Sequence, residues 1–546
     1  MPQNNVAIEN KSQIKPTGRF LSGVAVLTIS TVIVKLIGLL YKIPMLRVLG
    51  EEGMGYFNSA YELYTFFYII ATAGLPVAIS IMIAKSIEHN RIENVKKIYK
   101  VVLALFILIG MVGTVVLYYG SAFFGAVIGN IDAVLCIAAI APMAIFISVS
   151  SAVRGFFQGY QNMIPTAVSQ VIEAAGKLLL GLALAVWAFK SGYEIAECAA
   201  FATAGIAIGS FISMAYLLVS KYLFRLTKAP DRDISVDSSK SILHELFKIA
   251  VPITLSSLVV SLTRVIDLVM IMRRLQSIGY TAKAANSIYG SYSTLATSMF
   301  NLPLAFVPPI AIALVPVLTS VIQNKNEKRE KRVLNSSFRL CALITLPASF
   351  GLSLFSRPIL ELVFTGEHSA INVSAPLLSV LAMSVFFSGL MTVSNSVLQA
   401  YGMEKKPILS MAIGATVKAV LSYVLIGIPK INIYGAPIST FACVMTVFLI
   451  NIKYIRKATG ELESATYLFL KPLLASVVSI GACGIVYYLL VSIIGKSQPL
   501  TILTVGTAAV LYGLCALKMK AIESDDILLL PKGDKIEKLL RKVKLL

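Results

Sequence analysis

Residues 101–124 read VVLALFILIGMVGTVVLYYGSAFF, a stretch without a single charged side chain. At 1.5 Å per residue such a helix is about 36 Å long, enough to cross the roughly 30 Å hydrocarbon core of a bilayer. A helix that is apolar on every side lies either in a large protein core or in a membrane. Working outward, comparable runs fall at 20–41, 54–83, 133–153, 163–189, 196–220, 249–272, 284–322, 340–355, 375–398, 407–428, 435–452, 472–494 and 500–517, about fourteen in all. The run at 284–322 is longer than one crossing needs and is expected to be kinked or broken. Composition decides between core and membrane. The chain is 57% hydrophobic and 14% charged, with a mean hydropathy of +0.82, whereas soluble domains carry about 25% charged residues. Length alone would divide 546 residues into three or four soluble domains, but this composition overrides that prior. The expected fold class is an all-α polytopic membrane protein with about fourteen transmembrane helices.

The net charge of +21 would suggest a nucleic-acid partner in a soluble protein. A soluble chain this apolar would expose large hydrophobic patches, so no nucleic-acid partner is expected. The charge follows the loops instead. The N-terminal tail, alternate loops and C-terminal tail hold 35 of the 48 Lys and Arg, the other loops hold 9, and four remain within the apolar runs. By the positive-inside rule both termini are cytoplasmic, which requires an even number of crossings. The expected location is the cell membrane, multi-pass. Lys325, Lys328, Arg329, Lys331 and Arg332, and the tail residues Lys535, Lys538, Arg541, Lys542 and Lys544, are topology determinants that also meet anionic membrane lipids. Residues 534–545 alternate apolar and basic side chains and predict a short interfacial helix. The first run lacks a small-residue cleavage site and continues into Lys42, so it reads as a retained helix.

Two local matches point to an internal duplication. Leu75-Pro76 and Leu302-Pro303 each follow a helix rich in aromatic and hydroxyl residues, and Gln158, Pro165 and Lys177 are echoed at Gln399, Pro407 and Lys418. Transporters are often built from such repeats. The expected organisation is a cytoplasmic tail (1–19), a six-helix lobe (20–225), a cytoplasmic linker (226–241), a second six-helix lobe (242–458), two further helices (459–517) and a basic cytoplasmic tail (518–546). Proline within a helix removes a backbone hydrogen bond and kinks it. Pro76, Pro303, Pro308 and Pro309 are therefore candidate hinges, or packing irregularities of a static bundle, and Pro316 adds a further break.

Ionisable groups within the spans are the candidate functional residues, because lipid tolerates few of them. The candidate cavity cations are Lys35, Lys42, Arg47, Lys177, Arg264 and Lys418, with Glu62, Glu173 and Asp267 as candidate charge partners. Arg273 and Arg274 lie near outer helix ends. Spacing alone offers Glu173 with Lys177, and Arg264 with Asp267, as pairs on one helix face. Glu62 and Lys35 lie on neighbouring helices. Lys418 has no local partner and needs one across the bundle, a cavity, or an anion. Arg154, Gln158 and Gln161 form a candidate cytoplasmic gate, although Arg154 near a helix end is equally explained by snorkelling. Excess cations suit an anionic headgroup in a water-filled cavity; an exporter of lipophilic cations would want acids there.

Chemistry beyond transport finds no residues to carry it. The six cysteines stand singly in apolar stretches and the three histidines lack second ligands, so neither a disulfide framework nor a metal site is expected. There is no GxxxxGK[ST] phosphate loop, no recognisable nucleophile triad and no paired catalytic carboxylates. The reading is a transporter and not an enzyme, without cofactor, working by alternating access on an ion, voltage or substrate gradient. A non-transporting scaffold for envelope enzymes is the reading from a different class.

Several long strings carry a resemblance. KLIGLLYKIPMLRVLGEEGMGYFNSAYELY (35–64) with AGLPVAIS (73–80), RGFFQGYQNMIPTAVSQVIE (154–173), VPITLSSLVVSLTRVIDLVMIMRRLQ (251–276) and KINIYGAPIST (430–440) resemble the stage V sporulation protein B group. That group belongs to the polysaccharide-exporter branch of the multidrug/oligosaccharidyl-lipid/polysaccharide (MOP) flippase superfamily, and is related to MurJ-type lipid II flippases. The resemblance implies two six-helix lobes in a V around a central cavity, with two C-terminal helices making a lipid-facing groove. It implies a polyprenyl-linked anionic glycolipid as cargo, lipid II or a related cell-wall or spore-cortex precursor, moved from the inner to the outer leaflet. An ion-coupled multidrug or small-molecule exporter is the alternative within the superfamily. Other implied partners are a coupling ion and envelope-synthesis enzymes, with the chain acting as a monomer. Of the family's cavity arginines, the first-helix position is matched by Lys35. The second-helix position falls near Tyr68, and the eighth helix around 291–300 has no arginine, so Arg264 or Lys418 is left to supply that charge.

Overall fold

A computed structural model describes residues 18–224, 236–460 and 464–522. The expected interfacial helix at 534–545, the two tails beyond these limits and most of the linker lie outside the described residues. Within them the structure is helical, without a strand. Thirteen stretches are long and apolar enough to cross a membrane. The first of them, Ile29–Glu88, makes two crossings. Gly50 breaks its helix with φ 65° and ψ −175°, a backbone conformation open essentially to glycine alone. The rings of Tyr41 and Phe57 then meet at 5.9 Å, where a straight helix would hold them about 24 Å apart. The chain therefore reverses at Gly50, and fourteen crossings result among the described residues.

We label these crossings α1 (18–49), α2 (51–88), α3 (Ile92–Tyr119), α4 (Ile131–Gly159), α5 (Ile164–Lys190), α6 (Ile195–Leu223), α7 (Ser239–Ser277), α8 (Ala282–Gln323), α9 (Glu327–Leu354), α10 (His368–Ala400), α11 (Lys405–Ile426), α12 (Asn432–Thr459), α13 (Ala465–Ile494) and α14 (Gln498–Lys518). They correspond one to one with the apolar runs. The long run at 284–322 is indeed irregular. In α8 a π-turn covers Tyr292–Ala296, and the helix stops at Leu304 and restarts at Val307.

The prolines take two kinds of place. Pro76 sits in the first turn after a break in α2 at Ala73–Gly74, and Pro308 in the first turn after the break in α8. There a missing N–H costs nothing. Pro303 and Pro316 lie inside helical segments.

Helices α1–α6 pack as one lobe and α7–α12 as another, with α7 also lying against the first and α13–α14 packed on α9. The cores show how the lobes meet. At the end away from the basic loops a single buried cluster joins them, with Met45, Leu49 and Phe57 against Leu268, Leu275 and Leu295. At the basic-loop end each lobe has its own separate cluster. One holds Ile79, Phe106 and Phe157 with Ile242 and Leu246 of α7; the other holds Leu318, Phe338, Val397 and Phe448. The molecule is a V, closed at one end and parted at the other.

Candidate functional site

The closed end is held by polar contacts between the lobes. Asn58 of α2 donates to Ser293 Oγ at 2.9 Å and to Thr294 Oγ1 at 2.8 Å of α8. Asn286 donates to the Glu52 carbonyl at 2.7 Å and accepts from Asn130 at 2.8 Å. Lys283 pairs with Glu52 at 2.9 Å, Gln276 donates to the Gly129 carbonyl at 2.7 Å, and Arg47 donates to the Thr365 carbonyl at 3.3 Å. Glycine permits this approach. A Cβ on Gly290 would overlap the Glu51 carbonyl oxygen and lie 2.7 Å from the Gly55 nitrogen. At the basic-loop end the inter-lobe ties run only to α7 among the contacts described. Arg91, the cap residue before α3, and Asn94 of α3 hold Asp237 at 2.9 and 2.8 Å, and Lys85 reaches Glu245 at 3.6 Å.

Between these ends lies the charge cluster. On α2, Phe57, Tyr61, Tyr64 and Tyr68 recur at spacings of four, three and four, which puts their rings on one helical face about 6 Å apart. Lys177 of α5 rests against this face, its Nζ 4.0 Å from the Tyr61 ring centroid, with Tyr41 and Phe57 at 5.1 and 5.7 Å. A desolvated ammonium over such faces gains about 2 kcal/mol. A π-turn begins at Lys177 and runs to Gly181; such turns concentrate at functional sites. Tyr61, Tyr68, Lys177, Glu173, Gln170 and Thr31 line a cavity of about 250 Å³ in the first lobe.

The ion pairs differ from those that helical spacing offers. Glu173 pairs not with Lys177 but with Arg154 of α4, at 3.0 Å, and Arg154 Nε also donates to Ser169 at 3.0 Å. Arg154 is buried at 5% exposure, so it does not snorkel. Asp267 pairs not with Arg264 but with Lys418 of α11, at 2.6 Å, which gives Lys418 the partner it lacked locally. Buried charges take whichever partner the rotation of their helices brings near, and a pairing across two helices is invisible to one helix's spacing.

Three cations of this cluster lack a carboxylate of their own among the described residues. Lys42 donates across the lobes to Ser298 Oγ at 2.8 Å and to the Ser293 carbonyl at 3.3 Å. Lys177 has its aromatic bed. Arg264 is exposed on α7, and Glu62 lies within reach of its charge. Among the described acids near these three, Glu173 is held by Arg154 and Asp267 by Lys418, which leaves Glu62 outside an ion pair, its Oε2 buried without a hydrogen-bond partner. The cluster thus keeps an excess of about two positive charges, which buried surroundings make expensive unless an anion completes it.

The remaining sequence candidates fall elsewhere. Lys35 is exposed on the same face of α1 as Lys42, two turns or about 10 Å nearer the basic-loop end. Gln158 is half-buried and Gln161 exposed at that end of α4. Sequence reasoning passed over the aromatic face of α2 and the asparagines of the seal. Both left a trace, rings at three- and four-residue spacing and amides within apolar spans.

Three comparisons bear on this site. Residues 20–321 match the family described as Polysaccharide biosynthesis protein, and residues 252–424 match the one described as MatE. Among curated proteins of Bacillus subtilis (strain 168), the uncharacterized membrane protein YabM is 26% identical, with 95% of this chain and 96% of YabM covered. Lipid II flippase MurJ is also 26% identical, covering 81% and 84%. Stage V sporulation protein B is 24% identical, covering 94% and 98%. A solved lipid II flippase MurJ in an inward closed conformation superposes with a TM-score of 0.69 at 16% identity, over 90% of this chain and 98% of that one.

Proposed function

This chain belongs to the polysaccharide biosynthesis protein family, and on that premise we propose that it is a membrane transporter flipping a polyprenyl-pyrophosphate-linked oligosaccharide between leaflets by alternating access. The observation that carries this reading is the cation excess at Lys42, Lys177 and Arg264, beneath a sealed end and facing a parted one. A pyrophosphate brings about two negative charges, which an Arg fork binds bidentately and Lys binds as a point charge. With the basic loops cytoplasmic, the V is open to the inner leaflet. Lys35 is then the first cation met on entry. Arg154, bonded within its lobe, positions Glu173, and the gate narrows to Gln158 and Gln161. Pro76 and Pro308, at helix restarts, mark where the lobes hinge.

The relatives' names support lipid II or a related cell-wall or spore-cortex precursor as the cargo, with the protein working as a monomer in the cell membrane between the six-helix lobes 20–225 and 242–458. The experiment is complementation. The wild-type chain is expected to rescue a strain depleted of its lipid II flippase, and Lys42→Gln/Arg264→Gln to fail at equal membrane abundance. No rescue, with no polyprenyl-linked precursor trapped on the inner leaflet when this protein is depleted from its own host, contradicts the reading. The match of residues 252–424 to MatE favours a second reading, an ion-coupled small-molecule exporter. That reading predicts changed drug susceptibility in place of rescue.

A further inference from the structure

The phosphate-binding role uses Lys177 and leaves the rest of its cavity without one. That cavity, about 250 Å³, is walled chiefly by α1, α2 and α5. Its polar side chains keep hydrogen-bonding capacity that the described residues do not use. Gln170, the Tyr61 hydroxyl and the Lys177 ammonium form no hydrogen bond among them, and Glu173 engages Oε2 with Arg154 and leaves Oε1. An amide and a phenol both donate and accept, an ammonium only donates, and a carboxylate only accepts. Both kinds of group therefore line one space. Tyr68 adds a second ring on the same face of α2, two turns or about 10 Å from Tyr61.

This mixture selects an occupant. A phosphate, with acceptors only, would meet the Glu173 carboxylate, and a lipophilic cation would meet the Lys177 ammonium. An isoprenoid chain would leave all of these groups unsatisfied. A sugar ring answers each of them. Its hydroxyls donate and accept, and its weakly positive C–H face suits the negative face of an aromatic ring. Pockets for drug-sized ligands hold about 300–1,000 Å³, so this one takes a single ring of a larger cargo. Lys177 fixes which ring, because it lines the cavity and also belongs to the cation cluster. The ring placed here is the one joined directly to the pyrophosphate.

We infer that this first-lobe cavity is the recognition site for the first sugar of the cargo, a hexopyranose linked through C1 to the pyrophosphate. Gln170, Glu173 and Tyr61 take its hydroxyls, and Tyr68 takes its C–H face. The inference rests on the proposed transport of a polyprenyl-linked glycan. It adds that the protein distinguishes a glycosylated carrier lipid from the bare one.

The test is a native mass spectrometry titration of the full-length protein in detergent with two lipids of identical prenyl chain, the bare polyprenyl pyrophosphate and polyprenyl-pyrophosphoryl-N-acetylglucosamine. Wild type is expected to bind the glycosylated lipid about tenfold more tightly, the worth of one hydrogen bond and one aromatic contact together. Gln170→Ala is expected to lower that preference about fivefold, through the glycosylated lipid alone. Gly38→Phe plugs the cavity from α1. A Cβ on Gly38 meets nothing within 4 Å, so the ring enters open space and the preference is expected to vanish. Unchanged melting temperatures check that both variants fold. Binding of both lipids with equal affinity by wild type, or a preference that survives both variants, overturns the inference and leaves the transport reading standing. Binding of neither lipid by wild type overturns both.

Discussion

Replacing Gly290 with alanine puts a single methyl group into the seam that closes the V. The added carbon would overlap the Glu51 carbonyl oxygen and sit 2.7 and 3.1 Å from the nitrogen and Cα of Gly55. Backbone lies on both sides, so no flexible side chain can yield. Overpacking of this kind costs about 1–3 kcal/mol, and here only the closed seam bears it, since parting the lobes removes the clash. A bias of about 1–3 kcal/mol shifts a two-state equilibrium by roughly 5–150-fold. Spin labels at Ser191 and Lys430, both exposed in outer loops of opposite lobes, read the shift by pulsed dipolar spectroscopy in a cysteine-light background. Gly290→Ala is expected to move population to longer distances. Gly506→Ala, where the added carbon meets nothing, is the control and leaves the distances alone. An unchanged distribution in Gly290→Ala, with or without a lowered melting temperature, refutes the claim that this contact seals the outer end.

Further outcomes follow from other contacts. Lys418→Met strands Asp267 as a buried unpaired charge and is expected to cost about 3–5 kcal/mol in detergent unfolding, whereas Lys418→Met/Asp267→Asn recovers most of it; equal losses in both contradict the pairing. Gly50→Ala forces a Cβ into a backbone region that costs about 1–3 kcal/mol, and a lower melting temperature of the purified protein measures it. Asp237 at the start of α7 is held below the usual carboxylate range by its hydrogen bond to Arg91. A depressed carboxylate stabilises the fold above its unfolded pKa, near 3.8, and that contribution fades as pH falls through the lower folded value. Protection of the amides in the first turns of α7, taken relative to the intrinsic exchange rate at each pH, should therefore be high at pH 7, fall below about pH 4, and be low already at pH 7 in Arg91→Gln. Protection indifferent to both changes shows that the tie does not hold α7.

The fourteen crossings were legible because lipid leaves a helix no polar face, so length and apolarity alone mark each span. The charged residues of the site were legible for the complementary reason, that Lys42, Lys177, Arg264, Lys418 and the three acids are costly where they stand. Their partners were not. Glu173 with Arg154 and Asp267 with Lys418 each join two helices, and spacing within one helix offers Lys177 and Arg264 instead. The reversal at Gly50 was hidden in another way. Helical hydrogen bonding resumes at once on both sides of a single residue, where a loop at 42–53 separated the runs in the sequence. The π-turns at Lys177–Gly181 and Tyr292–Ala296 pack against neighbouring helices and leave no pattern in the residues that form them.

The central claim is that Lys42, Lys177 and Arg264 receive the cargo's phosphates. The most direct measurement reconstitutes the protein in liposomes with a fluorescent polyprenyl-pyrophosphate-linked disaccharide and follows leaflet exchange by quenching from outside. Wild-type protein is expected to expose the inner-leaflet probe to the quencher, and Lys42→Gln/Lys177→Gln/Arg264→Gln, folded and inserted equally well, to leave it protected as in protein-free liposomes. Exchange by the triple variant at the wild-type rate would contradict the account.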